Sequence, residues 1–409
     1  MATNPEDPDN PISGLLGDLL KVIGGGARGT SAPWLDAARA LAAGVATDGG
    51  TESNPDPLQR IKLEELARVV ELHVEGTTGL SIGDGHSYSF VPVGRGAWAN
   101  RALDGWRPLL ERMVGLIETA PTPPIEAALD AEEFPDGLQA LLGQFASTMG
   151  PIMLGLQFGS AAGHLARQAL GQYALIVPWP KSNELLVVPE NVAAFAADWS
   201  LPEDATLLWV CAHELTVQLV LDRPHITARL NELLEGAVAE SMAAQQGIAE
   251  RLSGTDVGPE SLQNLMSDPE ALLADLLAPG NRATSDRLNA LVAALTGYID
   301  HVTTTIAQAI TGSAGPLSEA WYRYRVADSR GRQAAAALFG FDVSRTEVDR
   351  GASFVRGVVE RAGEDGLARL LADARSLPTP AEVDAPGLWL ERIDLPEDAD
   401  GSESEGPVE

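Results

Sequence analysis

Residues 205–221, ATLLWVCAHELTVQLVL, carry His213 and Glu214 in an otherwise almost continuous apolar run. A helix of this composition is apolar on nearly every side and is expected to be central and buried. Left without partners there, each of the two ionisable side chains would cost stability by losing water. The H-E-x-x-H motif gives a reason for them. Two histidines four residues apart share a helix face and bind zinc, and the glutamate beside the first acts as general base on the metal-bound water. Here the position four residues after His213 is Val217, which has no lone pair to offer a metal. H-E alone is a short signal, and a His–Glu pair satisfied by neighbouring helices is the simpler account of it.

Upstream, Ser200-Leu-Pro-Glu203 has the S-x-x-E form of a capping box with Pro202 in the first turn, and predicts the start of this helix. Before it, YALIV (173–177) and ELLVV (184–188) are rich in β-formers and flank PWPKSN, which predicts a β-hairpin. Downstream, Pro224 ends the helix, and helical spacing returns over 227–251, 287–310, 316–338, 344–362 and 364–375. Residues 252–287 read as an irregular acidic stretch. On the N-terminal side, helices are expected over 12–22, 32–41, 58–76 and 96–118, and Gly-rich helices over 137–171. The segment 44–57, GVATDGGTESNPDP, reads as a linker. The expected organisation is therefore a flexible N-terminal arm with short helices and a linker over 1–57, one domain over 58–395 and a disordered acidic tail over 396–409. The fold class is mainly α with a small β-sheet (α+β).

The run from Gly137 to Ala166 has no charged residue, yet its glutamines, serines, His164 and Pro151 suit a buried core helix better than a lipid-facing one. Gly155, Gly159 and Gly163 recur every four residues and leave one helix face bare, which permits a close helix–helix approach. Apolar residues make up 45% of the 409-residue chain but aromatics only 5%, so Leu, Val and Ala must fill most of the core. The 58 acidic and 28 basic residues give a formal charge of −30. That excludes phosphate neutralisation on nucleic acid and attraction to anionic membranes. A single cysteine, Cys211, rules out an internal disulfide, and the acidic, Pro-rich N-terminus lacks the pattern of a signal peptide; both fit a cytoplasmic protein.

The stretch Gly159–Leu230 resembles an actinobacterial family of zincin-like metallopeptidases, through LGQYALIVP, LLVVPENVAAF and LWVCAHELT. Gly297-Tyr298-Ile299-Asp300-His301-Val302 is similar to that family's second helix. Residues 349–370 (DRGASFVRGVVERAGEDGLARL) and 376–393 (SLPTPAEVDAPGLWLERI) are similar to its C-terminal signature. The resemblance covers most of 130–395 and implies a zincin-like fold for the domain over 58–395. It implies His213 as first zinc ligand and Glu214 as base, and it places the second ligand at Val217. A glutamate that the family carries just before the Gly-Tyr, expected as third ligand, falls on Thr296. With two of three ligands missing, catalytic zinc is not expected to be held. His225, Glu235, Asp300 and His301 are conceivable substitutes, in sets such as His213–His225–Asp300 or His213–His301–Glu235, and Glu240 shares a helix with Glu235.

The other chemistry-bearing residues have plainer uses. His73 and His86 read as surface or capping residues, and His164 as a satisfied core histidine. Cys211 reads as packing, and Tyr322, Arg323, Tyr324 and Arg325 as a cluster paired with acids of the same domain. The expected function is a degenerate, non-catalytic family member that binds protein or peptide, without cofactor. The alternative is an active metallopeptidase holding zinc in a variant site. Neither nucleic acid nor membrane is an expected partner.

Overall fold

The computed structural model describes residues 32–52, 54–80, 82, 87–119, 136–254, 282–327 and 330–396. The expected helix 12–22, the acidic tail beyond 396, His86 and most of the stretch 252–287 lie outside these residues. The architecture is mainly helical with one small sheet, as expected.

The N-terminal helices are α1 (Pro33–Ala46) and α2 (Pro57–Thr78), followed by strand β1 (Ser89–Pro92), α3 (Arg95–Thr119) and α4 (Asp136–Ala166). α1 covers most of the helix expected over 32–41. Trp34, Leu35, Ala38 and Ala42 are buried, and α1 packs along α4. The glycine stripe makes this possible. A Cβ at Gly155 would overlap the Trp34 carbonyl, one at Gly159 the Ala38 carbonyl, and one at Gly163 the Val45 side chain. The two backbones therefore approach more closely than any larger residue would allow. His164, expected in the core, is exposed on the far side of this helix, with Nδ1 2.8 Å from the Ser160 carbonyl.

The predicted hairpin does not form. Strand β2 (Glu184–Val187) pairs in parallel with β1, Ser89 opposite Glu184 and Pro92 opposite Val187. Residues 170–172, just before Tyr173–Val177, meet β2 and its end through a bridge from Gly171 to Val187, a bond from the Val188 amide to the Leu170 carbonyl and one from the Leu186 amide to the Gln172 side chain. The Tyr173 amide is taken by a side chain, the Val177 amide closes a tight turn on Leu175, and Pro178 and Pro180 have no N–H to give.

Helix α5 (Pro189–Asp198) follows, and it explains why the predicted capping box fails. Ser200 takes a left-handed φ of 54°. Its amide donates to Ala197 and that of Leu201 to Ala196, which is a Schellman ending for α5. Ser200 thus closes one helix rather than opening the next, and α6 (Glu203–Leu221) begins behind Pro202 without a side-chain cap.

Every residue of α6 from Thr206 to Leu221 is buried. Among the described residues α6 alone is long and apolar enough to cross a bilayer, and nearly all of it is enclosed by the fold. It packs against α2, α5, β2 and the long α8 (Ala283–Thr311). After α6 come α7 (Pro224–Gly254), then α8, α9 (Gly315–Val326), α10 (Arg330–Leu338), α11 (Arg345–Ala368, broken at Gly363 with φ 68°), and the short α12 (Pro380–Asp384) and α13 (Pro386–Asp394). Glu240 of α7 accepts the Thr284 and Ser285 amides, so an anion sits on the N-terminus of α8. Trp389 of α13 donates to the Ser376 carbonyl at 2.7 Å and packs edge-on against Phe354 of α11.

Candidate functional site

The His–Glu pair of α6 faces a narrow cavity. The segment 168–176, between α4 and β2, forms one wall with Gly171, Tyr173, Ala174 and Ile176. α8 contributes Thr296 and Ile299, and α9 contributes Trp321, Tyr324 and Arg325. Its volume of about 70 Å³ has room for a few ordered waters.

Glu214 is fixed from two sides. One oxygen accepts the Tyr173 amide at 2.8 Å, and the other lies 3.2 Å from Nδ1 of His213. The carboxyl group rests directly on Gly171, where a Cβ would overlap it. Gly171 is held in turn by the Trp98 indole, which donates to its carbonyl at 2.8 Å. The His213 ring meets Trp321 edge to face, with centroids 4.9 Å apart. Trp321 stacks on Tyr324, Arg325 lies over the Trp321 ring, and Arg332 over that of Tyr324. Burial pulls the Arg332 guanidinium below its ordinary pKa. Burial pushes the Cys211 thiol well up, with the charge of Glu214 adding to the effect, in keeping with a packing role.

A line of polar residues, buried at Gln218 and half-buried at Asp222, continues from the pair along α6 and past its end. The Tyr173 hydroxyl donates to Gln218 at 2.6 Å, the Gln218 amide to Asp222 at 3.0 Å, and the Tyr88 hydroxyl to Asp222 at 2.5 Å. Glu214, Gln218 and Asp222 follow one another at four-residue spacing. This stripe ties the wall segment and the residue before β1 to the site helix. The spacing is visible in the sequence, and it is the signal that would have found Gln218 and Asp222.

The cavity brings together His213, Glu214 and Thr296, so the position expected to carry the third ligand does face the pair. The conceivable substitutes are elsewhere. Asp300, one turn beyond Thr296, accepts the Trp321 indole at 3.1 Å and the Arg325 guanidinium, bracing the cavity wall from outside. His301 lies 3.0 Å from both oxygens of Glu364. Glu235 pairs with Arg112. His225, at the start of α7, is near Asp373 and Arg223 and does not line the cavity. Val217 is fully buried. Among the described residues no three His, Cys, Asp or Glu side chains converge, so these residues do not fit a zinc ion and neither proposed substitute set is assembled. The cluster on α9 pairs within the domain as expected: Arg323 with Glu319, Tyr322 with Asp349 and Arg325 with Asp300.

A family model, that of the zincin-like metallopeptidases, matches residues 34–390. The chain belongs to the zincin-like metallopeptidase family. Its family stretch begins at the second residue of α1, in agreement with the burial of that helix. Among solved structures this zincin-like chain is similar to a candidate hydrolase with a novel fold from Chloroflexus aurantiacus, at 19% identity and a TM-score of 0.59. That likeness covers 88% of this chain and 98% of the other, and shows a shared fold. No curated protein matches the sequence.

Proposed function

We propose that this family member has lost zinc-dependent peptide hydrolysis and acts in the cytoplasm by binding a protein or peptide segment at the cleft of the His–Glu helix. The observation that carries the proposal is the ligand set around His213: among the described residues no three His, Cys, Asp or Glu side chains converge. Val217 and Thr296 stand where the two further ligands would be, and catalytic zinc requires three protein ligands.

Binding is supported by the wall segment. Among the described residues the amides of Ala174 and Ile176 find no protein acceptor, and both residues line the cavity. An extended peptide laid beside this stretch would satisfy them, as in strand addition.

The first test is metal content by elemental mass spectrometry on untagged protein, with a His213→Ala control. Less than a tenth of an equivalent of zinc is expected in both. Near-stoichiometric zinc that is lost in the control would overturn the proposal in favour of an active enzyme with a variant site. The second test is a peptide-display selection repeated on Ala174→Pro protein, which removes one of the two unpaired wall amides. Enrichment is expected on the parent and not on the variant.

A further inference from the structure

The cleft of the His–Glu pair is narrow, and bonds across it fix its width. Trp321 of α9 meets the His213 ring edge to face and stacks on Tyr324, with centroids 5.9 Å apart. Its indole donates to Asp300 at 3.1 Å, and the Arg325 guanidinium, paired with the same carboxylate, lies over the Trp321 ring. The Tyr324 hydroxyl donates to the Gln168 carbonyl in the facing wall. α9 and the segment 168–176 are therefore tied to one another, and the cavity between them cannot widen without breaking that bond. Its volume of about 70 Å³ is roughly half that of the ~150 Å³ cavity that takes up a benzene ring. A ring or a long aliphatic chain does not fit there. The side chain of Gly, Ala, Ser or Thr does.

Two buried polar groups in the lining have nothing to bond. Thr296 and His213 are 6% and 7% exposed, and both face the cavity. Thr304, Thr305 and Thr311 of α8 turn their hydroxyls back onto the carbonyls of Asp300, His301 and Ala307. The Thr296 hydroxyl makes no hydrogen bond among the described residues. His213 turns Nδ1 towards Glu214, and its Nε2 has no partner among them. A methyl group placed here would leave both unpaired and cut off from water. A carboxylate would face that of Glu214. A hydroxyl both donates and accepts, so it suits the threonine and either tautomer of the histidine.

We propose that the segment bound in this cleft presents a small hydroxyl side chain, serine or threonine, to the His–Glu pair. Trp321 sets the size limit and Thr296 recognises the hydroxyl. The inference rests on the peptide-binding function proposed above.

The test takes peptides enriched by the full-length parent protein and varies them one position at a time, with affinity measured by fluorescence anisotropy. One position is expected to accept Gly, Ala, Ser and Thr and to lose roughly tenfold or more on Leu or Phe. At that position Ser should bind roughly fivefold tighter than Ala. Trp321→Ala, and to a smaller degree Trp321→Phe, should admit Leu there, with circular dichroism unchanged. Thr296→Val should erase the preference for Ser over Ala and leave the size limit in place. Bound peptides without a size-limited position would overturn the inference and leave peptide binding itself intact. So would a limit that survives both Trp321 variants, or a hydroxyl preference indifferent to Thr296→Val. A parent protein that enriches no peptide would overturn the proposed function and this inference together.

Discussion

Glu214 is a buried carboxylate whose place is fixed by the absence of a side chain at Gly171. Gly171→Ala should push the carboxyl group off the Tyr173 amide and cost about 1–3 kcal/mol, read by urea denaturation. Ser200 presents the opposite case, a residue in a left-handed conformation that a Cβ disfavours. Ser200→Gly should stabilise the protein by about 1 kcal/mol in the same assay, since the Schellman turn it closes needs no side chain. At this scale the sequence is partly legible. His213 and Glu214 stand out because ionisable groups in an apolar helix demand partners. The identity of those partners is not written locally, because Tyr173 lies some forty residues away and offers its backbone. The serine misleads for a similar reason. S-x-x-E reads as a helix start, yet the same residue can end a preceding helix, and only the position of α5 decides which.

Among elements, close crossings through small residues recur. α1 and α4 meet over Gly155, Gly159 and Gly163, and α8 and α11 meet where Gly297 and Gly351 face one another. A Cβ at Gly351 would overlap the Ala293 carbonyl, and one at Gly297 the carbonyl of Gly351. Gly351→Ala should therefore separate α8 from α11 at a cost of about 1–3 kcal/mol, seen as a lower denaturation midpoint. It should also disturb the cavity, since Val292, Ala293 and Thr296 line it from the same helix. Helices with an apolar stripe and a clear end, such as α2 and α3, are legible from periodicity to within two residues, whereas α8 begins four residues before the expected 287. The glycine stripe of α4 is legible too, though not that α1 would be the helix it receives. The sheet is not. YALIV and ELLVV are adjacent and β-rich, but pairing is decided by amides, and two of those in the first run, of Tyr173 and Val177, are spent on Glu214 and a turn. The true partner of β2 is SFVP at 89–92, four residues with no alternation to mark them.

For the whole molecule, the helical architecture over most of the described chain agrees with its composition. Its acid response should begin at a histidine. Burial lowers the pKa of His225 below the ordinary value of 6.5, with Arg223 adding to the effect and Asp373 opposing it. The unfolded chain therefore takes up this proton first as pH falls, and stability declines below about pH 6.5. His225→Gln should flatten the dependence of the urea midpoint between about pH 7 and 5. The parallel pairing of β1 with β2 has a further consequence, in the order of assembly. Ser89 and Glu184 are held together across α3 and α4, so closing this contact demands a large loss of chain entropy that local helix formation does not. During synthesis β1 leaves the ribosome long before its partner exists. The wall that seats Glu214 lies in the same late segment, and the cleft should be the last part of the protein to take shape.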